Sequence, residues 1–129
     1  MEDEMLQRTL ILCAVLALMA ASLAACGGGA GSVPGGGTAL DVTVSANEFK
    51  FDPATINATP GQTINLTLRN TGSIQHTWVV SRTNIKITAD PGKTVTQTFT
   101  APTAAGTYEI MCDIAGHKEA GMVGQLIVK

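Results

Sequence analysis

The stretch YEIMCDIAGHKEAGMVG, residues 108–124, places a cysteine, a histidine and a methionine at regular intervals of five residues. They are Cys112, His117 and Met122. Such side chains are scarce elsewhere, because the chain has two histidines in all and its other two cysteines lie in the N-terminal segment. This concentration of sulfur and imidazole near the C-terminus predicts a shared chemical role.

Side-chain alternation along the flanking strands predicts which of these residues face the core. In TYEIMC, Tyr108, Ile110 and Cys112 share the apolar face of a strand. Upstream, in QHTWVV, His76 lies on the same face as Trp78, which also has the character of a core face. We therefore expect His76 and Cys112 to point into the fold from two different strands.

The remaining donors follow in the C-terminal loop. We expect His117 to lie in the loop 113–121 and Met122 to open the last strand, so that all four donors converge at one end of the fold. Taken singly, such residues are more often core packing than ligands. Together, two imidazoles, a thiolate and a weak axial thioether describe a blue-copper electron-transfer site. The set His76, Cys112, His117 and Met122 therefore predicts one type 1 copper ion.

Short alternating segments separated by turns fill the chain from Ala39 onward. Leu40–Val44, Ile64–Leu68 and the segments around His76, Val95, Tyr108 and Leu126 are rich in β-branched residues, with Pro-Gly or Ala-Gly turns between them. This pattern predicts an all-β fold, a Greek-key sandwich or barrel, over residues 39–129. Residues 81–90 fit either a short strand or a connecting loop, and no segment predicts a helix.

The N-terminus has the features of an export signal. A single basic residue, Arg8, precedes an apolar run that is short for a membrane span, and Leu23-Ala24-Ala25-Cys26 resembles a bacterial lipobox. We expect a lipoprotein signal peptide at 1–25, acylation of Cys26 and a Gly-rich flexible linker over 26–38. The alternative is an uncleaved N-terminal anchor.

Composition and cysteine content limit the possible partners of the chain. The formal net charge of −2 and the absence of a basic patch argue against a nucleic-acid partner. After cleavage, Cys112 would be the single thiol left besides the acylated Cys26, so no disulfide could form within one chain. We also expect the protein to be a monomer. An unpaired thiol in an oxidising compartment has to be protected or used.

The chain resembles the cupredoxins, the type 1 blue copper proteins that include plastocyanin and azurin, over residues 39–129. The most specific segments are YEIMCDIAGHKEAGMVG and NTGSIQHTW, and the spacing from Cys112 to His117 is most similar to that of the auracyanins. The resemblance implies copper ligation by His76 and His117 through ring nitrogens, by Cys112 through its thiolate and weakly by Met122. It also has one departure, because Thr77 stands where the family often has an asparagine that braces the ligand loops.

The resemblance implies an electron carrier, not an enzyme. We expect it to be exported and held by lipid on the outer face of the cell membrane, exchanging electrons with redox proteins such as a cytochrome or a photosynthetic or respiratory complex. Small residues around His117, namely Ala115, Gly116 and Ala120, would leave one imidazole edge accessible in an apolar patch. The alternatives are a copper-handling protein and a metal-free adhesion domain.

Overall fold

The computed structural model describes residues 37–129, which form nine strands. The predicted signal peptide, Cys26 and the linker up to residue 36 lie outside the described residues. The strands are β1 (Leu40–Asn47), β2 (Lys50–Asp52), β3 (Thr55–Ala58), β4 (Thr63–Asn70), β5 (His76–Val80), β6 (Lys86–Ala89), β7 (Thr94–Thr100), β8 (Gly106–Met111) and β9 (Val123–Val128). The prediction of an all-β fold is confirmed. Within residues 37–129 there is also no helix that could cross a membrane.

The strands form two sheets that pack face to face. One sheet has the order β2-β1-β4-β7 and the other has the order β3-β9-β8-β5-β6. Both are mixed, since β1 runs parallel to β4 and β3 runs parallel to β9. The chain passes between the sheets repeatedly, so strands distant in sequence become neighbours. In this way β8 and β9, which flank the loop of His117, lie in the same sheet as β5, which begins at His76.

The core lies between the sheets and follows the alternation of the sequence. Ile64, Leu66 and Leu68 of β4 are fully buried, while their neighbours along the strand are partly or fully exposed. Across the core, Trp78 of β5 packs against Phe99 of β7, with ring centroids 5.8 Å apart. Burial of these side chains supplies most of the driving force for joining the two sheets.

Two parts of the fold differ from the sequence prediction or were left open by it. No strand is predicted at residues 50–58, where the structure has β2 and β3. These strands have three and four residues, too few for a visible alternation, and they form by pairing with β1 and β9. The ambiguous segment 81–90 contains both predicted forms, a turn and then β6.

The ends of β8 and β9 differ slightly from the prediction. Cys112 follows the last residue of β8, and Met122 precedes the first residue of β9 instead of opening it. The two residues still pair, because the Cys112 amide donates to the Met122 carbonyl at 3.1 Å. The predicted faces are confirmed: Tyr108, Ile110 and Cys112 are all buried.

Candidate metal centre

Three of the predicted donors converge at one end of the sandwich. Ligand atoms of His76, Cys112 and His117 all lie within 4.8 Å of one another, and all three residues are buried. The Cys112 sulfur lies 3.3 Å from Nδ1 of His117, and the imidazole rings of His76 and His117 are 5.2 Å apart. The convergence predicted from strand parity is therefore present.

The loop between β8 and β9 brings its donors together by closing on itself. The His117 carbonyl accepts a hydrogen bond from the Met122 amide at 3.0 Å, and the Met122 carbonyl accepts one from the Cys112 amide. Gly116 and Gly121 adopt positive φ angles of 84° and 100°, which permit tight turns just before His117 and just before Met122. Met122 is fully buried, and its backbone hydrogen bonds with Cys112 and His117 place all three residues in one closed loop.

His76 carries the strongest sign of a ligand. Its side chain has no solvent exposure, and neither Nδ1 nor Nε2 has a hydrogen-bond partner among residues 37–129. Leaving a buried polar group unpaired costs about 1–3 kcal/mol, so a native fold retains one for a reason. Burial, with a smaller contribution from His117, lowers the pKa of His76 and keeps a neutral imidazole with a free lone pair.

The donor chemistry fits copper. Imidazole and thiolate in one buried cluster, with a thioether beside them, suit a soft transition metal and resemble the set expected for a blue-copper site. Hard cations such as Mg²⁺ and Ca²⁺ instead prefer oxygen ligands. The residues that are present therefore fit the copper ion that sequence analysis predicted.

Thr77 braces the centre between the two ligand segments. Its backbone amide lies 3.4 Å from the Cys112 sulfur, and its hydroxyl exchanges hydrogen bonds with the backbone amide and the carboxylate of Asp113. Lys86 and Thr77 both bind the Asp113 carboxylate and lower its pKa, with the larger effect from Lys86. A threonine thus links the two segments where the resembled family often uses an asparagine.

Asn70 is a further bracing residue that sequence analysis missed. It is buried, and its amide nitrogen donates to the carbonyls of Ile74 and Ala89 at 2.7 and 2.8 Å. Its oxygen accepts a hydrogen bond from the Gly72 amide. These bonds fix the turn that leads into His76. In the sequence alone, Asn70-Thr71-Gly72 indicates only a break between strands.

Phe49 was also missed, although it packs on a predicted ligand. It lies in the two-residue turn between β1 and β2 at φ 63°, a conformation uncommon for residues other than glycine. Its ring meets that of His117 edge to face at 5.3 Å. His117 is 6% exposed, while Phe49 is 43% exposed. Alternation offered no signal for this position, because Phe49 and Phe51 are two residues apart and would share one face of a strand. The positive φ of the turn takes Phe49 out of that alternation.

The three small residues that were predicted to surround His117 lie on the surface. Ala115, Gly116 and Ala120 are all exposed around the buried His117. Phe49 adds a partly exposed aromatic side chain to these small residues around His117. Its turn is held in place by Glu48, whose carboxylate accepts hydrogen bonds from the amide and hydroxyl of Ser73 at 2.6 and 2.9 Å.

Comparisons with known proteins agree with this description. A family model described as a cupredoxin-like domain matches residues 10–128. Auracyanin-A of Chloroflexus aurantiacus is 32% identical, over 92% of this chain and 96% of its own length. The copper-resistant cuproprotein CopI of Rubrivivax gelatinosus is 33% identical, over 67% of this chain and 64% of its own length.

Solved structures give the same result. Dithionite-reduced auracyanin from the photosynthetic bacterium Roseiflexus castenholzii superimposes with a TM-score of 0.62 at 28% identity, covering 74% of this chain and 99% of the other. The solved structure of auracyanin A, described as a "blue" copper protein, superimposes with a TM-score of 0.60 at 25% identity, covering 70% and 99% of the two chains.

Replacing Asn70 tests the bracing of the centre. We expect Asn70→Ala to lower the free energy of unfolding by about 1–3 kcal/mol, because buried carbonyls lose their donor. The measurement is urea unfolding followed by tryptophan fluorescence. Asn65→Ala is the matched control, since Asn65 lies on the same strand but makes its hydrogen bonds at the exposed face. Equal losses in the two variants would contradict a special role for Asn70.

Proposed function

This chain belongs to the cupredoxin-like family, and from that premise we propose that it is a blue-copper electron-transfer protein. The observation that carries the proposal is the fully buried His76, whose two unpaired ring nitrogens lie beside Cys112 and His117. The cofactor is one type 1 copper ion. When bound, it supplies a one-electron redox change between its +1 and +2 states.

We assign the ligands residue by residue. His76 and His117 bind through ring nitrogens, Cys112 binds through its thiolate, and Met122 binds weakly through its thioether. The complete burial of His76, Cys112 and Met122 supports this assignment, since it excludes water from the donors. A rigid and dry donor set changes little when the charge changes, which suits electron transfer and calls for no catalytic residue.

Electrons enter and leave near His117. Cys112 and His76 are enclosed by the sandwich, whereas His117 lies in a surface loop among exposed small residues and beside the half-exposed Phe49. An apolar patch of this kind suits the small and transient interfaces of electron-transfer encounters. The partner is a redox protein, such as a cytochrome or a photosynthetic or respiratory complex, which meets the protein as a monomer.

The chain acts outside the cytoplasm, tethered by lipid. The lipobox-like sequence ending at Cys26 supports this location, together with the Gly-rich stretch that follows. A flexible tether of this composition would let the copper domain reach its partners while remaining at the outer face of the membrane.

Copper handling is the second candidate function. It is favoured by the similarity to a copper-resistant cuproprotein over 67% of this chain. The enclosed site argues against copper handling, because a protein that delivers a metal has to release it more easily than three buried donors allow. The two functions differ in colour: a strong visible band from thiolate-to-copper charge transfer supports electron transfer, and a colourless Cu(I) protein supports handling.

The direct test of the proposed function replaces the thiolate. We expect Cys112→Ser to abolish the visible charge-transfer band of the copper-loaded domain, because a hydroxyl cannot supply the sulfur orbital. Absorption and electron paramagnetic resonance spectra measure this loss. Met111→Leu is the control, since Met111 neighbours Cys112 but lies on the other face of the strand, and it should keep the band. Persistence of the band in Cys112→Ser would overturn the assignment.

A charged substitution beside His117 tests whether electrons are exchanged through this surface. We expect Ala120→Glu to slow electron self-exchange between oxidised and reduced copies by about tenfold or more, since it places like charges in the contact. Nuclear magnetic resonance line broadening measures the rate. Ala105→Glu is the matched control, because Ala105 is exposed next to the opposite end of β8, roughly 20 Å away by strand rise. Equal rates in the two variants would place the exchange surface elsewhere.

Replacing the lipobox cysteine tests the tether. We expect Cys26→Ala to release the protein from membranes with its spectrum unchanged, because the acyl chains that provide the anchoring attach through that sulfur. Membrane fractionation and absorption spectroscopy measure the two properties. Cys13→Ala is the control and should remain in the membrane fraction. Retention of Cys26→Ala would favour an uncleaved N-terminal anchor.

A further inference from the structure

The hydroxyl of Thr77 lies between two acceptors. Its Oγ1 is 2.8 Å from Oδ1 of Asp113 and 3.4 Å from the sulfur of Cys112. A hydroxyl carries a single proton, so it cannot donate to both atoms at once. An asparagine amide at this position would carry two N–H donors and could serve two acceptors. The competition for one proton is therefore a consequence of having Thr77 here.

The carboxylate is placed to win this competition. The 2.8 Å contact with Asp113 is a short hydrogen bond between two oxygens, and a carboxylate oxygen is a stronger acceptor than a sulfur atom. The Asp113 backbone amide also donates to the same hydroxyl oxygen at 2.9 Å, which fixes that oxygen in place. The Cys112 sulfur is left with one donor from this segment, the backbone amide of Thr77 at 3.4 Å.

Lys86 holds the carboxylate in its position. Its Nζ lies 2.7 Å from Oδ2 of Asp113, the oxygen that does not face Thr77. The pair is partly exposed and contributes little to stability. Its effect is geometric, because it presents Oδ1 to the Thr77 hydroxyl. A series of contacts therefore runs from Lys86 on the surface of β6, through Asp113 and Thr77, to the buried sulfur of Cys112.

We propose that Asp113 is a positioning residue that sets the reduction potential of the centre by withholding the Thr77 proton from the Cys112 sulfur. The inference rests on the proposed function. Hydrogen bonding around the cysteine sulfur tunes the potential of blue-copper sites. A donor to the thiolate withdraws electron density and favours the reduced state, so withholding one keeps the potential lower.

The negative charge of Asp113 would also lower the potential, so the experiment has to separate charge from hydrogen bonding. Asp113→Asn removes the charge and leaves a weaker acceptor, which frees the hydroxyl proton to turn to the sulfur. We expect a higher potential and a shift of the charge-transfer band to shorter wavelength. Asp113→Ser, a second neutral variant, should shift both in the same direction. Voltammetry and absorption spectroscopy of the copper-loaded protein measure the two quantities.

The deciding comparison repeats Asp113→Asn in a chain that also carries Thr77→Val. Without the hydroxyl, we expect the rise in potential to shrink to the contribution of charge and the band to stay in place. With Thr77→Ser, which restores a hydroxyl, both effects of Asp113→Asn should return. Thermal unfolding checks that each variant is folded.

The role of Asp113 and the presence of a blue-copper site can fail independently in these experiments. Equal effects of Asp113→Asn with and without the Thr77 hydroxyl would overturn this inference and leave the blue-copper assignment standing. A copper-loaded wild-type chain without a thiolate-to-copper band would overturn the proposed function, and the inference with it.

Discussion

The enclosed imidazole of His76 is the constraint on which the site depends. A buried ring with two unpaired nitrogens is unfavourable in a folded chain, and here it lies against a buried thiol and a second imidazole. A metal ion with affinity for nitrogen and sulfur removes this penalty. Because such an ion would bind the folded chain more tightly than an unfolded one, its binding would add to stability. The function and the stability of the sandwich are therefore linked through the same few atoms.

The bracing of the donors explains how so short a domain can hold them. Asn70 fixes the turn before His76, Thr77 ties the His76 strand to the segment after Cys112, and backbone hydrogen bonds close the loop of His117. None of these hydrogen bonds involves a side-chain donor atom of the four predicted ligands. A donor set held from outside in this way keeps its shape when the charge of the centre changes, which is the physical requirement of an electron carrier.

The surface around His117 contains an aromatic residue, Phe49, in addition to small residues. Phe49 adopts an uncommon backbone conformation, and a hydrogen-bonded Glu48 holds its turn against Ser73. Its ring packs on His117, where electron exchange is proposed to occur. Strained residues are found most often where function requires them. A partner that approaches His117 would therefore also meet an aromatic side chain.

Strand alternation and donor chemistry are local properties, so the amino-acid order alone predicts the all-β class, the inward faces of β4, β5 and β8, and the cluster of His76, Cys112 and His117. The folded chain was needed to reveal β2 and β3, the brace at Asn70, the contact of Phe49 with His117 and the competition for the Thr77 proton. Each of these depends on segments far apart in the chain that the two sheets bring together. Local patterns carry no information about which distant backbone or side-chain group will complete a hydrogen bond.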